Sequence, residues 1–157
     1  MRIAVIGLGD IATKAYLPLL TRMPNLELIF CTRNPEKLAV VASKYRIAET
    51  CRDYRELLKM NIDGVMIHTS SETHAAIATF FIEQHIPVFV DKPATLNFAD
   101  YQKLHDLSEQ KSVPFVCWLQ SPLHSALEHA GGPRRSSSSH LAQTSTQSDR
   151  QSTGLHF

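Results

Sequence analysis

The sequence predicts an α/β fold, a doubly wound parallel sheet with helices on both faces. Short, wholly apolar segments alternate with longer amphipathic stretches along residues 1–120. Strands that are apolar throughout are buried on both faces, which is typical of parallel sheets with helical crossovers. The ordinary composition, with 43% hydrophobic and 20% charged residues, excludes collagen-like, disulfide-scaffold and fully disordered chains.

Strands and helices are predicted in alternation along this part of the chain. We expect strands over residues 2–6, 26–31, 47–48, 64–68, 88–90 and 113–118, and helices over residues 11–22, 35–45, 53–60, 72–85 and 98–110. Asn34 followed by Pro35 is typical of the first positions of a helix. Pro18 should kink the first helix or end its first half, because proline has no N–H to donate.

Charge and cysteine content exclude several classes of partner. Basic and acidic side chains balance over residues 1–120, and the whole chain carries a formal net charge of +1, so nothing favours nucleic acid or a membrane surface. No apolar run can cross a bilayer, and the apolar start is too short for a signal peptide. Cys31, Cys51 and Cys117 are widely spaced, which favours reduced thiols in a cytoplasmic protein and no metal site.

The first candidate site is a glycine turn between the first strand and the first helix. It reads Gly7, Leu8, Gly9, Asp10, Ile11 and Ala12. Gly7 allows a tight turn, Gly9 lets the backbone approach a pyrophosphate, and the helix start supplies free N–H groups. The pattern predicts dinucleotide binding, and the plain alternative is an ordinary tight turn.

The second candidate site follows the second strand, where the adenosine ribose of a dinucleotide would lie. A carboxylate there would bind the ribose 2′-hydroxyl and favour NAD. Instead Thr32 and Arg33 occur, with no acidic residue before Glu36. A guanidinium suits a 2′-phosphate, because arginine offers charge-assisted, bidentate contacts. We therefore predict a preference for NADP, with NAD as the alternative if Arg33 is merely solvated.

The third candidate site runs from the end of the fourth strand into the next helix. His68, Thr69 and Ser70 stand at this strand end, followed by His74. Their hydroxyl and backbone groups are predicted to line the crevice under the nicotinamide half of the cofactor. For either histidine a structural role is the alternative, and His74 could simply cap the helix.

The fourth candidate site is Asp91, Lys92 and Pro93, directly after the fifth strand. A lysine beside a nicotinamide pocket can hydrogen-bond a substrate hydroxyl and, when partly desolvated, take part in proton transfer. Pro93 stiffens the turn. Lys92 is therefore the candidate catalytic residue, although Lys-Pro pairs are also common in surface loops.

Together these features resemble the glucose–fructose oxidoreductase, inositol dehydrogenase and rhizopine-catabolism (Gfo/Idh/MocA) family over residues 1–118. Residues 65–70 and His74 are similar to the strand-four signature of its MviM-like bacterial oxidoreductases, and residues 91–93 are similar to the family's Glu-Lys-Pro motif. The resemblance implies a Rossmann-like NAD(P)-binding domain and hydride transfer to or from a sugar-like or polyol-like carbinol. It also implies that Lys92 contacts the nicotinamide ribose and the substrate hydroxyl.

The resemblance further implies a second, α+β domain that builds the substrate pocket and the interface of homo-oligomeric full-length relatives. The sequence lacks a recognisable second domain, so we expect residues 1–120 to represent the cofactor-binding half. A dinucleotide-binding or redox-sensing module without catalysis, and an inactive pseudogene-like fragment, are the alternatives.

Residues 121–157 are rich in serine and poor in apolar residues, which predicts a disordered tail. The codons of residues 117–126, read one base downstream, could spell the family's Val-Gly-Tyr-Asn-Arg-Arg-Phe-Thr-Pro. Our hypothesis is therefore out-of-frame translation from about that point, and codons that cannot spell this motif would rule it out.

Overall fold

The computed structural model describes residues 1–117 and contains a six-stranded sheet in which every pairing is parallel. The strands are β1 (Arg2–Ile6), β2 (Glu27–Cys31), β3 (Thr50–Cys51), β4 (Gly64–Ile67), β5 (Val88–Val90) and β6 (Phe115–Cys117). Their order is β3-β2-β1-β4-β5-β6, so the chain winds outward from β1 in both directions. The doubly wound α/β fold is confirmed, while the predicted tail lies outside the described residues.

The helices connect successive strands. They are a π-helical turn (Ala12–Tyr16) that continues into α1 (Leu17–Leu20), α2 (Pro35–Tyr45), a 3-10 helix (Tyr54–Lys59), α3 (Ser71–Glu83) and α4 (Phe98–Lys111). The first helix differs from the predicted span 11–22, because a wide turn precedes Pro18 and the helix ends at Leu20. Proline lacks an N–H and crowds the preceding turn, and a π turn is one way in which a helix adapts to it.

Alternate residues of β1 pack on opposite faces of the sheet. Ala4 and Ile6 belong to one buried apolar cluster, with Phe81 and Leu104 from α3 and α4. Val5 belongs to a second buried cluster with residues of α1, α2 and β2. Both faces of the central strand are therefore covered, as its uninterrupted apolar sequence requires.

The third strand was predicted at residues 47–48 and lies instead at Thr50–Cys51. Arg46 takes a left-handed conformation (φ 58°) after α2, and the N–H of Ile47 donates to the carbonyl of Ala42 at 2.9 Å. This is a Schellman-type helix end, in which an apolar residue just past the helix packs back against it. Ile47 therefore serves the helix terminus, and strand pairing begins three residues later.

Among residues 1–117, no helix combines the length and the apolar character that a membrane crossing requires. The same residues contain no group of three or more histidine, cysteine, aspartate or glutamate side chains arranged to hold a metal ion.

Candidate functional site

The candidate site lies at the carboxyl edge of the sheet, where the predicted segments follow their strands. This edge carries a cavity of about 550 Å³, here called the large cavity, and a cleft of about 190 Å³, here called the Lys92 cleft. Gly9, His68 and Thr69 line both, so the two spaces adjoin. Parallel strands end at a shared edge, which brings together segments that are far apart in sequence.

Gly7 and Gly9 shape the floor between the two spaces. Gly7 has φ +90°, and a Cβ atom built on it would lie 2.6 Å from the backbone oxygen of His68. Glycine is therefore required there for the turn and for the close approach of two backbone segments. A Cβ atom on Gly9 would meet nothing within 4 Å. The open space before Gly9 fits a group that approaches the backbone closely, as the predicted diphosphate would.

The remaining predicted residues of the glycine turn divide between core and surface. Leu8 is buried in the apolar core, so only its backbone can reach a ligand. Asp10 is exposed, and its Oδ2 accepts a hydrogen bond from Lys14 Nζ at 2.8 Å, which lowers the pKa of the Asp10 carboxyl. Ile11 is 56% exposed and lines the Lys92 cleft. The charge of Lys14 offsets the repulsion that Asp10 would exert on a diphosphate.

Basic side chains surround one end of the large cavity. The predicted site residues Thr32 and Arg33 line it together with Lys37 and Arg52, and no aspartate or glutamate is among its lining residues. We did not predict Lys37 and Arg52 from the sequence. Arg52 directly follows β3, so a correct position for this strand would have indicated Arg52 as a site residue. The sequence places the strand three residues too early.

The large cavity also has apolar lining, here called the apolar wall. It is formed by Ile6, Tyr54, Ala76 and Ile77, and the hydroxyl-bearing residues Thr69, Ser70 and Thr73 line the cavity as well. The hydroxyl of Thr73 donates to Thr69 Oγ1 at 2.8 Å. A cavity with both apolar and basic lining can hold a flat ring system with a charged substituent.

Lys92 is exposed and lines the Lys92 cleft beside Gly9 and Ile11. Its backbone N–H donates to Asp91 Oδ1 at 2.8 Å, and the peptide bond between Lys92 and Pro93 is cis. Within residues 1–117 the ammonium group of Lys92 forms no ion pair. The side chain therefore stands at the cleft as a donor outside any ion pair, and Asp10 and Asp91 line the same cleft.

The His68 ring is buried beside the turn that contains Asp91 and Lys92. Its side chain is fully buried, its centroid lies 4.4 Å from that of the Tyr16 ring, and its Nδ1 lies 3.4 Å from Asp91 Oδ2. Burial lowers the pKa of His68, and the Asp91 carboxylate opposes this effect only in part. Its Nε2 has no hydrogen-bond partner among the described residues. His68 thus reaches the cleft through its backbone, while its ring supports Asp91.

His74 braces the turns that follow β4 and β5. It is 2% exposed, with Nε2 2.9 Å from the carbonyl oxygen of Thr69 and Nδ1 2.8 Å from that of Pro93. The helix cap is Ser70, not His74. Because both ring nitrogens face backbone carbonyls, His74 positions the walls of the Lys92 cleft instead of offering a free nitrogen to a ligand.

The comparison with known proteins agrees with this arrangement. A family model described as an oxidoreductase family with an NAD-binding Rossmann fold matches residues 1–118. The curated protein YceM of Salmonella typhimurium is 32% identical over 117 residues, which cover 74% of this chain and 38% of that protein. The scyllo-inositol 2-dehydrogenase (NAD(+)) of Bacillus subtilis is 32% identical over 116 residues, which cover 72% of this chain and 34% of that protein.

A crystal structure of a Gfo/Idh/MocA family oxidoreductase from Vibrio cholerae shares the fold with a TM-score of 0.74 and 45% identity. The match covers 74% of this chain and 38% of that one. The chain thus spans little more than a third of the length of these relatives. Since the family model covers all the described residues and the glycine turn lies where that fold requires it, the chain belongs to the Gfo/Idh/MocA oxidoreductase family, of which it carries the NAD-binding Rossmann domain.

Proposed function

We propose that this chain binds a nicotinamide dinucleotide, with NADP preferred over NAD, and that it is the cofactor-binding half of an oxidoreductase acting on a sugar-like or polyol-like carbinol. The observation that carries the proposal is the open space before Gly9, because this space joins the basic large cavity to the Lys92 cleft. An extended ligand that crosses the glycine turn would reach both ends.

The backbone at Gly7–Gly9 and the N–H groups that open the following helix would hold the diphosphate. Thr32 and Arg33 would bind the 2′-phosphate at the basic end of the large cavity, where no carboxylate competes for them. The apolar wall would pack against the adenine. The relative from Bacillus subtilis is named for NAD(+), so the proposed preference for NADP rests on the basic residues of this chain alone.

Lys92 is proposed as the catalytic residue at the opposite end. A bound nicotinamide supplies the acceptor or donor of the hydride. Lys92 would hold the substrate hydroxyl and take its proton during oxidation, or return a proton during reduction. Asp91 fixes the Lys92 backbone through its Oδ1 atom, and His74 holds the facing turns together.

Fluorescence titration of the 157-residue chain tests the cofactor assignment. We expect NADPH to bind more tightly than NADH, by at least about tenfold if one charge-assisted contact is made to the 2′-phosphate. Arg33→Ala should bring the two affinities together. Absence of binding by both nucleotides would refute the proposal, and equal affinities in the unaltered chain would refute the preference alone.

A reactive analogue tests the position of Lys92. Periodate cleaves only the nicotinamide ribose of NADP, since the other ribose carries a 2′-phosphate, and the resulting dialdehyde forms an imine with a nearby lysine amine. After borohydride reduction, peptide mass spectrometry should find the label on Lys92. The same treatment of Lys92→Ala should leave Lys37 unlabelled, because Lys37 lines the other end of the site. Labelling of Lys37 in place of Lys92 would reverse the proposed orientation of the cofactor.

A dinucleotide-binding or redox-sensing role without catalysis is the second candidate. It requires only a nucleotide site, and residues within 1–117 line both the large cavity and the Lys92 cleft. In a longer version that turns over substrate, loss of activity in Lys92→Ala with NADP binding retained would support the enzyme. Unchanged behaviour of that variant would support the sensor.

A further inference from the structure

The pairing of β2 with β3 brings Arg52 beside the proposed 2′-phosphate site. Cys31 and Cys51 are register partners at the ends of these strands, and the N–H of Thr32 donates to the carbonyl of Cys51 at 3.3 Å. The residues that follow the two strands therefore leave the sheet side by side, roughly 5 Å apart. Arg52 thus projects from the same edge as Thr32 and Arg33.

Both arginines line the large cavity, and neither forms an ion pair within the described part of the chain. The neighbouring acid, Asp53, is already engaged, since its Oδ1 accepts hydrogen bonds from the backbone N–H and the guanidinium of Arg55 at 3.0 and 3.3 Å. Two guanidinium groups from different strands that share one cavity repel each other. An anion between them would relieve that repulsion and bind both.

We propose that Arg52 is a specificity-determining residue that binds the 2′-phosphate from the β3 side, opposite Arg33 on the β2 side. This inference rests on the proposed function and assigns to a second strand part of the recognition of the phosphate. Each arginine is exposed and supported by backbone of a separate strand end, so the pair forms a clamp whose spacing is set by the sheet.

A contact between Arg52 and the adenine ring is the competing arrangement, because guanidinium groups also stack on aromatic faces. The two arrangements differ in which ligands bind more weakly when Arg52 is replaced. A 2′-phosphate contact affects only ligands that carry this phosphate, whereas stacking on adenine affects every adenine nucleotide equally.

Calorimetric titration of the 157-residue chain with 2′,5′-ADP and with 5′-AMP separates the arrangements, since the two probes differ only in the 2′-phosphate and neither contains nicotinamide. We expect Arg52→Ala to weaken 2′,5′-ADP binding by about tenfold or more, the loss of one hydrogen-bonded charged contact, and to leave 5′-AMP binding unchanged. Arg52→Lys should show a smaller loss, because the charge remains without the bidentate geometry. Arg22→Ala is the matched control, since Arg22 is an exposed arginine outside the cavity lining.

The outcomes distinguish this inference from the proposed function. Equal weakening of both probes in Arg52→Ala would overturn the clamp in favour of stacking, and an equal effect of Arg22→Ala would reduce it to a general effect of positive charge. If the unaltered chain prefers 2′,5′-ADP and only Arg33→Ala abolishes that preference, the clamp is wrong and the proposed function stands. If the unaltered chain binds both probes equally, the proposed preference for NADP is wrong, and the inference about Arg52 is wrong with it.

Discussion

Gly7 and Gly9 lie two residues apart, but their substitution should affect different properties. In Gly7→Ala the new Cβ would meet the His68 carbonyl oxygen at 2.6 Å in a backbone with φ +90°, so we expect the free energy of unfolding to fall by at least about 1–3 kcal/mol. Gly9→Ala has free space around it and should fold normally.

The same Gly9→Ala variant should bind NADPH at least about tenfold more weakly, a loss of about 1.4 kcal/mol, because the methyl group occupies the space that a diphosphate would enter. Denaturant unfolding and fluorescence titration of both variants measure the two effects. Unimpaired binding by a folded Gly9→Ala chain would contradict the proposed path of the ligand.

His68 should make stability depend on pH. Because burial lowers its pKa in the folded state, the unfolded chain binds the proton first as the pH falls. Stability contributed by the neutral ring is therefore complete above the unfolded value of 6.5 and decreases as the pH falls from there towards the lowered folded value. His68→Phe should flatten this decrease in unfolding experiments between pH 7 and pH 5.

The exposed His85→Phe serves as the matched control for His68 and should leave the slope of stability against pH unchanged. The same slope in His68→Phe as in the unaltered chain would show that another group is responsible.

At the scale of the element, α2 and α4 begin in the same way. Asn34 Oδ1 accepts from the N–H of Lys37 at 3.0 Å, and Asn97 Oδ1 accepts from the N–H of Asp100 at 2.9 Å. Replacing either asparagine by alanine should lower the free energy of unfolding by about 1 kcal/mol.

Only Asn34→Ala should also weaken NADPH binding, because Asn34 directly follows Arg33 and the helix that it caps carries Lys37 at the large cavity. Thermal unfolding and nucleotide titration of the two variants make this comparison. Equal effects on binding would show that the start of α2 has no special relation to the site.

The sequence predicted most elements because their signals are local. The apolar strands, Asn34 with Pro35, and the glycine turn each depend on neighbouring residues, and the structure contains them. β3 was predicted in the wrong place because the apolar Ile47 belongs to the end of α2 and not to a strand. With β3 misplaced, Arg52 had no predicted neighbour, since its contact with the site depends on strand pairing between distant residues. The bracing role of His74 also required the fold, because its partners come from two separate turns.

At the scale of the whole molecule, nucleotide binding should stabilise the fold. The turns after β1, β2, β4 and β5 all line the proposed site, so a ligand that contacts them binds the folded state only. NADPH at 100 times its dissociation constant should raise the free energy of unfolding by about 2.7 kcal/mol. Differential scanning calorimetry measures this shift, and an unchanged melting temperature at saturating nucleotide would contradict site formation by these turns.

The chain should also bind nucleotide without efficient turnover. Lys92 is exposed at the described edge of the site, whereas orientation of a substrate and exclusion of water supply much of an enzyme's rate. We expect little or no NADP reduction with a panel of polyols and sugars, followed by absorbance of the reduced nicotinamide. Robust turnover by the purified chain would refute this expectation.

Arg33, Lys37 and Arg52 share one property with a practical consequence: all three are exposed, and none belongs to either apolar cluster. The charge of the large cavity is therefore set by exposed side chains, whereas its shape is set by the packed interior. A protein engineer could retarget the large cavity to the unphosphorylated dinucleotide by introducing a carboxylate at one of these three positions, without redesigning the hydrophobic interior.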